Sequence, residues 1–149
     1  MALASAGFSI SGVNTAATNL LNLKASSTNP CRVLEVGIFY TVLSTTPYDI
    51  GLIRMNAVGT GTITSTAGAH HETGATATTV LETAWVTTRP TSTGSFFRRA
   101  TIPLTLGAGY ILPLGSGIFV PISGGLILQG ISASGATTGT LEGWMMWDE

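Results

Sequence analysis

The sequence predicts an all-β protein, and three observations support this. The stretch Cys31–Val42 (CRVLEVGIFYTV) alternates side chains at period two over its whole length, as a long interior strand does. Turn-forming residues punctuate the chain about every eight to twelve positions, the spacing of a β-sandwich or barrel. Helical periodicity is almost absent, while glycine and β-branched residues are frequent. We therefore expect a jelly-roll-like antiparallel β-sandwich of about eight to ten strands with almost no helix.

The first half of the chain predicts four strands. Gly7–Val13 should form the first, which could pair near the last strand, and Asn14–Asn19 a loop or one short helical turn. Asn19–Lys24 (NLLNLK) is expected to form a hairpin with Cys31–Val42, because only a short turn separates them. Asp49–Val58 should likewise pair back onto the long strand. Within the long strand, one wholly apolar face is expected to comprise Leu34, Val36, Ile38, Tyr40 and Val42.

The second half begins with its least structured segment. We expect at most a short strand at Thr62–Thr64, followed by a Gly, Ala and Thr-rich loop around His70, His71 and Glu72. The remaining strands are predicted at Val80–Val86, Ser95–Leu104, Tyr110–Leu112, Gly117–Ile122, Leu126–Ser132 and Thr140–Trp147. The last carries large apolar groups on both faces, so it is either a central strand or meets a partner.

Length and composition limit the function. The 149 residues suit one domain, 1–149, in which residues 1–11 form a first strand or an N-terminal arm. Charged residues make up 9%, against roughly 25% in ordinary soluble domains. The exterior must therefore be Thr, Ser, Gly and Ala, or be covered by another protein. A net charge of -1 gives no electrostatic basis for binding nucleic acid.

The charge-free stretch Ala100–Leu141 raises the question of a membrane span. Three prolines and many glycines interrupt it before the roughly twenty apolar residues that a spanning helix needs, so we expect strands and no membrane partner. The N-terminus lacks the basic region of a secretory signal, and the single Cys31 excludes an internal disulfide. Synthesis in the cytosol is the expectation.

Catalytic chemistry finds little support. His70, His71 and Glu72 have metal-ligand chemistry, but adjacent residues in an extended chain point to opposite sides, so we expect no metal there. Cys31 starts a strand that should be buried, which favours a packed small side chain over a nucleophile. No motif supports a Ser-His-Asp triad. We therefore expect no enzyme, no cofactor and no small-molecule substrate.

Two features keep alternatives open. Glu35 lies within the long strand, where it could form a buried or interfacial ion pair with a neighbouring arginine or lie on a wetter sheet face. The tryptophans, Trp85, Trp144 and Trp147, together with the tyrosines, could form a sugar-stacking platform, although core or interface anchors are the commoner role.

Several segments, in this order, resemble a family of tailed-bacteriophage head decoration, or cement, proteins. They are NLLNLKA leading into RVLEVGIFYTV, GTGT before a variable loop, SFFRRATIPL followed by GAGYILPLGSG, LILQGIS, and a closing strand ending in WMMWDE. The likeness runs from about Phe8 to Glu149. The chain departs from the family in Thr66–Thr79, where a more polar Asp and Pro-rich loop is usual, and in FFRR at Phe96–Arg99, where the family has an aromatic-rich Arg-Trp segment.

The resemblance implies a jelly-roll structural protein of the virion. It implies attachment in many copies to the capsid surface, as a homotrimer that bridges neighbouring major capsid subunits, after synthesis in the host cytoplasm. The interface is expected in Thr66–Thr79, in Met1–Ser11 and in Trp144–Trp147. Its candidate residues are Phe8, His70, His71, Glu72, Arg98, Arg99, Trp144 and Trp147. The alternative is a glycan- or receptor-binding virion module of the tail-fibre or carbohydrate-binding type, and a jelly-roll enzyme ranks third.

Overall fold

The structure is a computed structural model that describes residues 2–11, 19–43, 47–60, 63–71, 74, 76–85, 87–132 and 139–149. None of these residues is helical, and the strands pair antiparallel throughout, which confirms the predicted all-β fold class. The prediction of a loop or helical turn at Asn14–Asn19 falls almost wholly on residues 12–18, outside the described residues.

Ten strands occupy the described part of the chain. Their bounds are β1 Leu3–Ser11, β2 Asn19–Lys24, β3 Cys31–Val42, β4 Tyr48–Ala57, β5 Ile63–His70, β6 Thr76–Trp85, β7 Thr91–Ile102, β8 Gly109–Val120, β9 Gly125–Ser132 and β10 Thr140–Asp148. They form one hydrogen-bonded sheet in the order β7-β4-β9-β2-β6-β5-β1-β10-β3-β8, which is nearly barrel-shaped.

The strand order is that of a jelly roll with one insertion. Without β5 and β6, the sheet divides into two groups of four, β1-β10-β3-β8 and β7-β4-β9-β2. Successive strands then alternate between the groups, except that β4 and β7 are neighbours in one group. The chain therefore wraps around a shared core as a jelly roll does. The β5–β6 hairpin is inserted between β4 and β7 and joins the two groups.

This topology corrects two predicted pairings and confirms a third. The second strand does not form a hairpin with β3 but pairs with β6 and β9, and β4 pairs with β7 and β9 instead of β3. Both predictions assumed that neighbours in sequence are neighbours in the sheet, whereas most connections here cross between the two groups. The first and last strands pair as expected, from Leu3 opposite Asp148 to Ser11 opposite Thr140.

The long strand β3 lies between β10 and β8, as an interior strand should. Its alternation changes phase at an irregularity near Leu34, where the register shifts against both neighbours. Cys31 and Val33 are buried before this point, and Val36 is the first fully buried residue after it. Leu34 is therefore only half-buried, and the single apolar face predicted for the whole strand is interrupted there.

Two segments are more regular than the sequence predicts. Thr66 to His70 belongs to β5 and not to a loop, because its small residues pair with β6 while Trp147 supplies the bulk that packs over Gly68. Tyr110–Leu112 and Gly117 belong to the single strand β8, whose register against β3 shifts between Pro113 and Ile118.

The buried apolar side chains form one cluster that draws on both groups of strands. Its largest members are Trp147, Tyr40 and Tyr48, each no more than 1% exposed. Strand β10 is central and carries buried Leu141, Met145 and Trp147 on one face, as predicted. The other face of β10 is turned outward and carries Trp144.

Candidate functional site

The structure separates the predicted interface residues into two groups. Phe8 and Trp147 are 8% and 0% exposed, so their side chains belong to the core and not to the surface. The other described candidates are wholly or partly exposed, and they are His70, His71, Arg98, Arg99 and Trp144. Glu72 lies outside the described residues. The interface role of these surface residues stays a prediction.

His70 takes part in a network around the carboxylate of Glu149, which is almost fully buried. The Oε1 atom of Glu149 accepts a hydrogen bond from the Thr78 backbone N–H at 2.8 Å and lies 3.3 Å from His70 Nε2. Its Oε2 atom accepts from the Thr79 N–H at 3.0 Å. Burial acts to raise the pKa of this carboxyl, but the Thr79 hydroxyl, the two N–H donors and His70 outweigh it and lower the pKa to about 2. The network joins the end of β10 to the β5–β6 hairpin.

His71 has a different partner, because its Nε2 lies 2.8 Å from Ser5 Oγ on β1. The two histidines therefore do not converge on one point. Among the described residues, no three His, Cys, Asp or Glu side chains come together as metal ligands would. Cys31 is buried, as predicted, and burial raises the pKa of its thiol to about 11.

Arg98 and Arg99 lie on the edge strand β7 and are both exposed. The Arg99 guanidinium lies 5.5 Å from the centre of the Phe96 ring, and Arg98 donates to the Phe97 carbonyl oxygen at 2.8 Å. Phe96 in turn covers Gly51 of β4. Arg99 thus lies beside an aromatic ring, and Arg98 is held by a backbone carbonyl oxygen.

Trp144 stands on the outer face of the other group, between two glycines. It lies opposite Gly7 on β1 and opposite Gly37 on β3. A Cβ on Gly37 would lie 2.5 to 2.6 Å from three atoms of the indole ring, so the ring rests directly on this glycine. A Cβ on Gly7 would meet only a backbone oxygen at 3.6 Å, so the side toward β1 is open.

Two neighbours on β3 hold the indole in place. Its Nε1 donates a hydrogen bond of 2.9 Å to Glu35 Oε1, and the Phe39 ring stacks against it with centroids 5.6 Å apart and an interplanar angle of 27°. The carboxylate of Glu35 therefore lies on the outer face of the sheet and accepts a hydrogen bond from a tryptophan. The indole, Phe39 and Glu35 are together called the Trp144 platform below.

A groove of about 350 Å³ opens beside the Trp144 platform. Gly7, Phe39, Thr41, Glu142 and Trp144 contribute to its lining. Glu142 accepts a hydrogen bond from Ser9 Oγ at 3.3 Å. Sequence reasoning singled out Trp144 but missed its partners, because the contact of Trp144 with Glu35 and Phe39 depends on the register between β10 and β3.

A second surface was also missed. Exposed apolar side chains gather where β3 ends beside the β7–β8 turn, which Gly107 N and Tyr40 O tie together at 2.9 Å. This apolar rim comprises Val42, Leu43, Leu104, Leu106, Tyr110 and Ile111, each between 39% and 65% exposed. Four of the six lie in the charge-free stretch Ala100–Leu141, and this stretch is the feature of the sequence that could have indicated the surface.

Comparisons with protein-family models, with curated proteins and with solved structures each gave no match. The resemblance to phage decoration proteins therefore remains a prediction. Within the residues that the structure describes, no helix combines the length and apolar character needed to cross a membrane.

Proposed function

We propose that this protein is a structural virion protein that binds the outside of a tailed-phage capsid. It stabilises the shell by bridging neighbouring major capsid subunits. The observation that carries the proposal is the apolar rim, whose side chains are exposed although they are large and apolar. Several large apolar side chains exposed in one region of a protein surface mark a site of protein association.

The lack of charge along the stretch of chain that supplies most of the rim supports a permanent contact. Residues 100 to 141 contain no Lys, Arg, Asp or Glu, and they supply β8, the β7–β8 turn and β9. The buried centre of a stable interface is depleted of charged residues and resembles a protein core. A surface without charge loses little by being covered for the lifetime of a particle.

The edge strands indicate how the contact is made. The register of β7 against β4 jumps between Thr93 and Arg98, and that of β8 against β3 jumps between Pro113 and Ile118. Such irregularities and an edge proline disfavour the addition of a foreign strand. Docking through side chains, with the rim at its centre, fits these edges better than extension of the sheet.

The mechanism is mechanical. Each copy makes modest contacts across a joint between capsid subunits, and the many copies on a shell multiply the effect. The partner is the major capsid protein, and the protein itself assembles as a homotrimer on the virion surface after synthesis in the host cytoplasm. No step requires a cofactor, a nucleic acid or a small-molecule substrate.

Thermal release of DNA tests the proposal. Particles that lack the protein should release their genome at a temperature several degrees lower than complete particles, and adding back the purified protein should restore the difference. Equal release temperatures would contradict the bridging role.

Variants locate the contact. Leu106→Lys places a charge on the most exposed residue of the rim, and we expect it to lower occupancy on purified capsids by at least about tenfold, which is roughly 1.4 kcal/mol. Val58→Lys is the matched control, because Val58 is 47% exposed but lies outside the rim. Equal losses from both variants would show that the rim is not the docking surface.

A further inference from the structure

The indole of Trp144 lies flat on the sheet. Three of its ring atoms, Cζ2, Cε2 and Cη2, are 2.5, 2.6 and 2.6 Å from the position that a Cβ on Gly37 would take. Because these distances are nearly equal, the Cα–Cβ direction of Gly37 meets the face of the ring and not its edge. A Cβ stands out from the pleated sheet, so the ring runs parallel to the sheet surface. Trp144 is only half-buried, so part of its ring stays accessible.

The ring is also rigid. The Nε1–Glu35 hydrogen bond fixes its rotation about the Cβ–Cγ bond, and Phe39 closes one side at an interplanar angle of 27°. Little side-chain freedom remains to be lost when a ligand stacks on the accessible part of the ring. Binding therefore costs less than it would on a mobile aromatic side chain.

Hydrogen-bonding groups surround the flat ring. Glu142 lies opposite Phe39 on β10, Ser9 lies opposite Glu142 on β1, and Thr41 lines the same groove. Carboxylate and hydroxyl oxygens accept hydrogen bonds from hydroxyl groups. The groove volume of about 350 Å³ lies at the lower end of the range of about 300–1,000 Å³ for small-ligand sites.

We propose that the Trp144 platform and its groove bind a neutral hexopyranose unit. The apolar C–H face of the sugar stacks on the indole, and its hydroxyl groups donate to Glu142 and exchange hydrogen bonds with Ser9 and Thr41. This site does not depend on the capsid-binding proposal, which uses the apolar rim. It gives the virion surface a means of adhering to polysaccharide.

Charge selects the sugar class. The two ionisable groups at the site, Glu35 and Glu142, are both carboxylic acids. An acidic sugar would bring a third negative charge into their field, whereas a neutral sugar brings none. Stacking on a protein partner is the competing use of such a ring, but the small volume of the groove and its hydroxyl groups favour a small polyhydroxylated ligand.

Titration of the full-length, ¹⁵N-labelled protein tests the proposal. The probes are methyl β-D-glucopyranoside, cellotetraose and glucuronic acid, with mannitol as an acyclic control for hydroxyl chemistry. The chain has three tryptophans, so three indole N–H signals are expected, and Trp144→Phe identifies one of them. We expect the Trp144 signal to move with cellotetraose at a dissociation constant of about 1 mM, while the signal of buried Trp147 stays fixed.

Variants give the quantitative result. Trp144→Ala should weaken cellotetraose binding by at least about tenfold, the size of effect expected when one aromatic stacking surface is removed. Phe39→Ala should weaken it by less, because Phe39 only supports the indole. Trp85→Phe is the matched control and should bind normally. Should Trp144→Ala fail to fold, Trp144→Phe with its smaller ring should still fold and bind several-fold more weakly.

Several outcomes would overturn the proposal. They are a Trp144 signal that does not move with either neutral sugar, an equal response to mannitol, tighter binding of glucuronic acid than of the neutral glucoside, and cellotetraose binding that survives loss of the indole. A parent protein that binds no sugar, together with loss of capsid binding in Trp144→Ala, would assign the ring to protein docking instead. Because the titration uses free protein, its failure leaves the capsid proposal intact.

Discussion

At the scale of single residues, each tryptophan packs over a glycine. Trp85 covers Gly59, Trp144 covers Gly37 and Trp147 covers Gly68, and a Cβ on any of the three glycines would lie within 2.6 Å of an indole atom. At these three positions glycine therefore makes room for a large ring from another strand. These contacts link strands that are distant in sequence, since Gly68 lies in β5 and Trp147 in β10.

Substitution of these glycines by alanine should follow a graded order. Trp147 is fully buried and cannot move away from a new methyl group, so we expect Gly68→Ala to lower the free energy of unfolding by about 2–3 kcal/mol. Trp144 can swing into solvent, so Gly37→Ala should cost about 1 kcal/mol. Gly7→Ala is the control, because the same indole has open space on that side, and we expect a change within about 0.5 kcal/mol.

Urea denaturation of the three variants measures this order. In the NMR spectrum, the indole N–H signal of Trp144 reports its hydrogen bond to Glu35. A change in the position of this signal in Gly37→Ala would show that the ring has left Glu35. A cost for Gly7→Ala equal to that for Gly37→Ala would mean that any side chain on this face is unfavourable, and that the contact with the ring is not the cause.

At the scale of elements, the β5–β6 hairpin is the part that sequence reasoning described least well. The bounds of β2 and β3 were predicted correctly, because Asn29-Pro30 and the alternating apolar residues mark them. Strand β5 carries no such pattern, since Thr66 to Ala69 are all small and, among them, Gly68 is covered by Trp147. Strand pairing was also beyond local reasoning, because the connections of a jelly roll cross between two groups of strands.

The candidate site, like the strands, was predicted only in part. The sequence named Trp144 and Trp147 alike as interface candidates, on opposite faces of β10, without deciding which face is outward, and Trp147 proved to belong to the core. The role of Glu149 could not be predicted, because its partners lie on β5 and β6, about seventy residues earlier. Nothing in the local sequence distinguishes it from a solvated carboxylate.

The Glu149 network should make stability depend on acidic pH. Its carboxyl has a pKa of about 2 in the folded protein, against 4.5 for the unperturbed group. A group whose pKa is lower in the folded state stabilises the fold above its unfolded pKa, and this contribution is lost as the pH falls from about 4.5 toward 2. We expect the free energy of unfolding to fall by roughly 2 kcal/mol across this window because of Glu149.

Unfolding by urea at a series of pH values measures this loss. Glu149→Gln should be less stable than the parent at neutral pH and should show a flatter dependence between about pH 4.5 and 2. Glu142→Gln is the control, because Glu142 is exposed and should leave the slope unchanged. Parallel curves for the parent and Glu149→Gln would contradict the role assigned to the network.

At the scale of the whole molecule, the surface combines little charge with two separate apolar regions. The apolar rim lies at one end of β8, while Phe119 and Ile122, at 53% and 54% exposed, lie at the other end. A closed trimer needs two different patches on each copy, since its interfaces are heterologous. With a net charge of -1 per chain, three copies would meet little electrostatic repulsion on assembly.

We therefore expect the purified protein to be a homotrimer in which Phe119 and Ile122 form one of the two patches that meet at each interface, while the apolar rim stays free for the capsid. Light scattering coupled to size exclusion should give three times the chain mass of 15.3 kDa. Phe119→Lys should give a folded monomer, because a buried lysine without a partner opposes association strongly. Leu106→Lys should remain a trimer while losing capsid binding. A monomeric parent protein would contradict the trimer. Dissociation by Leu106→Lys but not by Phe119→Lys would show that the apolar rim, and not Phe119 and Ile122, holds the copies together.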